Sequence, residues 1–220
     1  MRESKPSGGG ARKKQRLSPA VITEAAIGLA DAEGLEAVSI RRVAAELDAR
    51  AMSLYDHFAS KRDLLDSMND EVVGEMLLSR PLPEAWREAV ATTARTMYAA
   101  YARHPWAIFV AAERIDPGPN AVKMAKQMAR ALATLPLEHD DVWQLQGIVN
   151  DYVIGYSFRT VGTVNPEEME AAIAPTDVVE FPELAALPAN LRNRSSIERF
   201  ELGLQTVLDG VERRFLDQPG

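Results

Sequence analysis

SIRRVAAELDARAMSLYDHFASKRDLLDSM, residues 39–68, decides the architecture. Ser39 precedes Ile40, Val43, Ala44 and Leu47, which are spaced as one face of a helix, and a serine in that place accepts first-turn N–H groups. Asp48-Ala49-Arg50 separates this segment from a second short one, from about Ala51 to Phe58. Ser60 to Asp63 has the form of a capping box and opens a longer helix on Leu65, Met68, Val72 and Met76. Two short helices joined by three residues, with another helix before them, form a helix-turn-helix, whose second helix enters the major groove of DNA.

Outward from this stretch, helical signals are dense and strand signals almost absent. Ser18-Pro19 starts a helix with Ile22, Ala25, Ala26, Leu29 and Ala30 on one stripe, and Gly34 stops it. Pro81 and Pro83 mark a break. Beyond it, a stripe from Trp86 to Tyr101 ends at His104-Pro105, a short helix runs from about Trp106 to Arg114, and Asp116-Pro117-Gly118-Pro119 makes a turn. Met124, Met128, Leu132 and Leu135 outline a helix closed by Pro136. From about Asp140 to Gly162 the chain is apolar on more than one side, as a helix buried on several faces is. Residues 163–194, rich in proline and acid, read as mostly loop with a turn of helix at Glu167–Ile173. Ser195 to Glu198 is a second capping box before the last helix. There are no internal repeats. The fold class is all-α: an N-terminal three-helix helix-turn-helix domain plus a larger helical domain for ligand binding and dimerisation. The expected limits are a disordered basic arm over 1–17, the DNA-binding domain over 18–64, and the effector and dimerisation domain over 65–220.

The charge follows the same division. Over 220 residues the net charge is −7, yet residues 1–64 carry 11 Lys and Arg against 9 Asp and Glu, while residues 65–220 carry 14 against 23. Arg2, Lys5, Arg12, Lys13, Lys14 and Arg16 make the first residues strongly positive, and Ser7-Gly8-Gly9-Gly10 has no apolar surface to bury. With no cysteine, disulfides, thiolate metal sites and cysteine nucleophiles are excluded. No apolar run reaches the ~18 to 20 residues of a membrane span, so a cytoplasmic protein without membrane contact is expected. Three scattered histidines and no H-E-x-x-H, G-x-S-x-G or phosphate loop leave little chemistry for an enzyme. No cofactor or metal is expected. A helical protein-interaction module and a small helical enzyme are the alternatives to a DNA-binding protein.

Within residues 39–61, Ile40, Val43, Leu47, Leu54 and Phe58 lock the helix pair. That leaves Arg41, Arg42 and Arg50 outside for phosphates, and Ala51, Met52, Ser53, Tyr55 and His57 outward on the second helix. Small and polar groups permit close approach to base edges, and Met52 suits a thymine methyl. Lys61 reaches backbone phosphate from the start of the next helix. Read singly, the arginines are also a solvated face, Tyr55 a packing residue and His57 a surface histidine.

The stretch from Thr23 to Met68, above all Ser53-Leu54-Tyr55-Asp56-His57-Phe58 followed by Ser60-Lys61 and Leu64-Leu65, resembles the DNA-binding domain of the TetR family of transcriptional regulators. Trp86-Arg87-Glu88, His104-Pro105-Trp106, Gly118-Pro119-Asn120, Tyr152-Val153-Ile154-Gly155 and Phe200 to Leu204 resemble the C-terminal domain of its tetracycline-repressor-like branch. The resemblance implies a homodimeric repressor on double-stranded, palindromic operator DNA. A small-molecule effector in the second domain then changes the spacing of the two recognition helices. It also implies that Tyr55 and Lys61 contact phosphate and that Arg41, Ala51, Met52, Ser53 and His57 face DNA. Two departures stand out. Asp48 occupies a turn position where the family often has glycine, a place aspartate tolerates. Leu64 to Ser79 contains no histidine, which argues against a tetracycline–magnesium effector.

Two seams suggest the dimer. Ile197, Phe200, Leu204, Val207 and Val211 fall at alternating spacings of three and four. Leu145 and Val149 belong to the 140–162 helix, too apolar for one small bundle. A four-helix interface would bury both, and an intramolecular core is the other possibility. For the effector, Trp86, Met97, Tyr98, Tyr101, His104, Trp106, Phe109, Met124, Met128, Trp143, Tyr152 and Phe158 supply aromatic and methionine walls suited to a flat, largely apolar molecule.

Overall fold

The structure, a computed structural model, describes residues 16–79, 81–113, 118–133, 135–161, 166–186 and 195–216. The basic arm expected over residues 1–17 lies almost wholly outside them. Among the described residues every regular element is a helix. α1 (Pro19–Glu33), a 3-10 turn (Leu35–Ala37), α2 (Ile40–Glu46), α3 (Ala51–Tyr55) and the start of α4 (Lys61–Glu75) form an N-terminal head. α5 (Trp86–Arg103), α6 (Ala107–Glu113), α7 (Pro119–Leu132), α8 (His139–Val161), α9 (Pro166–Ala172), α10 (Pro175–Glu180), a 3-10 turn (Pro182–Ala186) and α11 (Ser196–Phe215) form the body. α4 runs unbroken through residue 64, where the sequence places the domain boundary.

Local chemistry sets the ends of these helices. The Ser18 hydroxyl accepts the Val21 N–H at 3.3 Å and Pro19 occupies the first helical position of α1. α1 stops at Gly34, whose φ of +87° suits glycine. Ser195 and Glu198 close a reciprocal capping box at the start of α11. At α4 the expected box takes another form: Ser60 Oγ accepts the Asp63 N–H at 3.1 Å and lies 2.9 Å from the Asp63 carboxylate, to which it donates. Within 163–194, the described residues 166–186 hold a helix where one turn is expected near Glu167–Ile173 and a second, α10, in a stretch expected as loop. Pro166 and Pro175 open α9 and α10, where a missing N–H costs nothing.

In the head, α1 packs on α2 and α4, and α2 packs on α3. Ile22, Val43, Leu54 and Leu64 are fully buried there, each contributing roughly 1.5–3 kcal/mol of burial. In the body, α5 lies against α7, α8 and α11, and α4 reaches into the body to pack on α5, α6 and α7. α4 is therefore common to both parts. Its Asp70 carboxylate accepts the Asn120 N–H at 3.0 Å and the Ala121 N–H at 3.3 Å, capping α7. The close approach requires a glycine before α7: a Cβ on Gly118 would collide with Asp70.

Candidate nucleic-acid interface

α2 and α3 are short enough that each has one face to anchor and one to present. Ser39 caps α2 by accepting the Arg42 N–H at 3.2 Å. The turn closes through Ala49 N–H to Ala44 O at 2.9 Å, with Asp48 at φ +49°. Aspartate is among the few non-glycine residues that adopt this region readily, so the substitution of glycine leaves the tight turn intact. α3 ends at Tyr55, earlier than the spacing predicts, and the Phe58 N–H bonds Leu54 O at 3.0 Å to carry the chain round to α4. Leu54 and Phe58 are buried and pin α3 to the head.

With those two anchors fixed, the other side of α3 faces solvent. Met52 is 73% exposed and Tyr55 48% exposed, large side chains without a packing role. His57 is exposed, while Ala51 and Ser53 are half-buried. Arg41, Arg50 and Lys61 are exposed around them and form no ion pair among the described residues. Arg42 differs: its guanidinium sits 2.7 Å from Glu33 on α1 and 3.5 Å from Glu46, bracing α2 against α1.

The twelve residues expected around an effector are dispersed. Met97, Tyr98, Tyr101, Trp106 and Met128 are buried core. Trp86, Met124 and Tyr152 are half-buried, and Phe109, Trp143 and Phe158 are exposed. Trp86 and Met128 line an apolar cavity between α5, α7, α8 and α11, but at about 10 Å³ it has room for one water. Tyr98, Tyr152, Tyr156 and Phe200 form one aromatic cluster, Tyr98 stacking on Phe200 at 4.3 Å between centroids. Tyr152 donates to Phe200 O at 2.6 Å, and burial, with the Tyr156 and Glu201 charges, pushes its phenol up to about 12. Burial alone takes Tyr101 to about 12. His104 lies between Asp31 and Glu75, where head and body meet, with its ring committed to those carboxylates. Aromatic spacing could not distinguish core from pocket, because both need large apolar side chains on inward faces. Phe109 and Phe158 are the pair left outside, meeting edge to face at 5.6 Å between α6 and α8.

Most residues of the two seams are likewise covered within one protomer. Phe200, Leu204 and Val211 are buried inside the chain, as are Leu145 and Val149, where α11 meets α8 and α5. Val207 is half-buried and Ile197 is exposed. Periodicity locates an apolar stripe but does not name the helix that covers it. The opposite faces of α8 and α11 are open. Ile148 is 43% and Leu202 56% exposed, and Trp143 and Phe158 in α8 and Thr206 in α11 are exposed as well. Gly147, Gly155 and Gly210 lie within these helices, and among the described residues a Cβ at any of them would meet nothing within 4 Å beyond its own helix. Glycine inside a helix costs about 1 kcal/mol relative to alanine, and that cost was the missed signal.

Known proteins give the same picture. Residues 22–68 match the family model of bacterial regulatory proteins of the tetR family, and residues 80–215 match the tetracyclin repressor-like C-terminal domain. The chain is 32% identical over 205 residues to the HTH-type transcriptional repressor DrrR1 of Streptomyces coeruleorubidus, covering 87% of this chain and 76% of that protein. Apo ActR from Streptomyces coelicolor superposes with a TM-score of 0.77 at 26% identity, over 90% of this chain and 95% of ActR. ActR in complex with actinorhodin superposes at 0.80 and 26%, over 92% and 100%. With both halves of its length matched, an outward helix-turn-helix and an all-helical body, this chain belongs to the TetR family of transcriptional regulators.

Proposed function

We propose that this protein is a homodimeric repressor of palindromic operator DNA, released by a small, largely apolar effector. The observation that carries the reading is the exposed row on α3 and the turn after it: Met52, Tyr55 and His57 face solvent on a segment anchored by buried Leu54 and Phe58. A segment held so firmly while exposing two large side chains is built to meet another surface. Tyr55 and Lys61 take backbone phosphate, joined by Arg41 and Arg50. Ala51, Met52, Ser53 and His57 face the base edges. The head is residues 18–64, and residues 65–220 hold the effector and the dimer contact.

Dimerisation uses the outer faces of α8 and α11, where Ile148 and Leu202 are exposed and Gly147, Gly155 and Gly210 allow close helix approach. Two heads in one dimer present their α3 helices to half-sites about one turn of DNA apart. ActR has been solved with actinorhodin and with (S)-DNPA. A flat ligand of comparable character suits the surface aromatic pair Phe109–Phe158, which joins α6, packed on α4, to α8.

The test is selection of bound sequences from random double-stranded DNA, followed by a salt titration on the winner. The expected winner is a palindrome, with log affinity falling steeply and linearly with log salt, by about 0.9 per phosphate contacted. Compounds are then screened for release of that DNA. Recovery of no preferred sequence would overturn the reading.

A further inference from the structure

One turn of the body, His104-Pro105-Trp106 between α5 and α6, grips α1 of the head. Its target is Asp31 in the last turn of α1. The Trp106 indole N–H donates to Asp31 Oδ1 at 2.7 Å, and His104 Nδ1 lies 2.8 and 3.0 Å from the two Asp31 oxygens. The opposite ring nitrogen is 3.3 Å from Glu75 at the end of α4, and Glu75 also receives Arg103 at 2.5 Å. His104 and Trp106 are buried. Hydrogen bonds to a carboxylate in such shielded surroundings are stronger and more directional than exposed ion pairs.

Two residues further along α1, Glu33 holds Arg42 of α2 at 2.7 Å. The same helical turn is thus bonded on one side to the body and on the other to the helix-turn-helix. α4 has its own ties, since Arg62 donates to Glu113 O at 3.1 Å and Asp70 caps α7. Besides the Asp31 contacts, α1 follows the body through its packing on α4.

We propose that Asp31 is a positioning residue for operator binding. The His104-Pro105-Trp106 turn fixes α1 to the body through Asp31, and α1 fixes α2 through Glu33 and Arg42. The head then has a second tie beside α4, and a shift of the α5–α6 turn carries α1 and α4 together instead of splaying them. This rests on the operator-binding reading above and adds to it the route by which the body sets the angle of the head.

The chain has no cysteine, so Ala45→Cys on α2 and Ala99→Cys on α5, both exposed, accept spin labels at those two places alone. The α2–α5 distance distribution is measured without DNA, and affinity for the selected palindrome is measured on unlabelled protein. Asp31→Ala and His104→Gln are expected to broaden the distribution and to weaken palindrome binding roughly tenfold, the scale of ordinary coupling between sites. His104→Asn, whose amide nitrogen falls near the Nδ1 position, is expected to keep the distribution narrow and the affinity near that of the unchanged protein. That rescue separates loss of the Asp31 bond from a general loss of fold. A narrow, unshifted distribution in Asp31→Ala overturns the tie, and a broadened one with unchanged affinity overturns the positioning role. Failure of the unchanged protein to bind any selected DNA would end the operator reading, while the distance measurement would still decide whether the tie exists.

Discussion

Head and body solve the same problem, burying an apolar stripe on each helix, with different amounts of material to spare. In the head, α3 has five residues; Leu54 goes inward and Met52 and Tyr55 outward, so the anchoring and presenting groups never compete. In the body, α8 has 23 residues and is apolar nearly all round. Leu145, Val149 and Val153 face the chain's own core, and Trp143, Ile148 and Phe158 face away. A short helix in a small domain declares its working face by default. A long apolar helix in a larger one has several faces that look alike in one dimension.

The sharpest way to break this contrast is a pair of charges two residues apart on α11. Leu204→Glu places a carboxylate in the core and is expected to unfold the body, a loss of more than about 4 kcal/mol visible in thermal melts. Leu202→Glu is expected to leave the melt nearly unchanged and yield monomers in sedimentation, with palindrome binding lost. A folded monomer from Leu204→Glu would restore that seam to the dimer interface.

The next effect concerns glycines. Gly203→Ala would force a methyl against the Tyr152 ring, which is held by its bond to Phe200 O. The expected cost is about 1–3 kcal/mol by denaturant unfolding. Gly155→Ala meets open space, so it should be neutral or slightly stabilising to the fold while raising the concentration needed for dimers. Equal destabilisation by both would contradict an outward face on α8.

Smaller again are the head's surface changes. Tyr55→Ala or Lys61→Ala is expected to weaken operator and non-operator DNA alike and to lower the salt slope by about one per lost phosphate contact. Met52→Ala should alter the selected sequence while leaving that slope alone. Least of all is Glu201→Gln. The Arg95 guanidinium, at 2.7 and 3.0 Å, holds the Glu201 carboxyl below its usual range, tying α5 to α11. A depressed carboxyl stabilises the fold above its unfolded value of about 4.3 and loses that contribution as pH falls through the folded one. Both side chains are about 40% exposed, so screening limits the loss to roughly 1 kcal/mol at neutral pH. The melting curves of Glu201→Gln and the unchanged protein should converge as acid is added.

These contrasts trace how far the residues could be read in one dimension. Ser18, Ser39, Ser60 and Ser195 marked helix starts because capping is a matter of neighbours three residues apart. The outward row of α3 was readable for the same reason, since Leu54 and Phe58 had one small core to enter. The bridging position of His104 was not readable, because its partners Asp31 and Glu75 lie 73 and 29 residues away. The helix at Pro166–Ala172 matches the turn expected at Glu167–Ile173, whereas α10 after Pro175 falls in expected loop, because a proline that opens a helix and one that breaks it are spelled alike.

Local order alone, then, determined that the regular elements among the described residues are helices, where most of them begin, and that residues 39–61 form a helix-turn-helix with an outward second helix flanked by Arg50 and Lys61. Those properties depend on capping, turn geometry and side-chain periodicity, which act over a few residues. Only the tertiary structure decided that the α11 stripe closes the protomer's own core, that His104 bridges head and body, and that Ile148 and Leu202 lie on free faces. Each of those is a choice among covering surfaces of equal hydrophobicity, and burial is non-directional, so the choice falls to the packing of elements far apart in the chain.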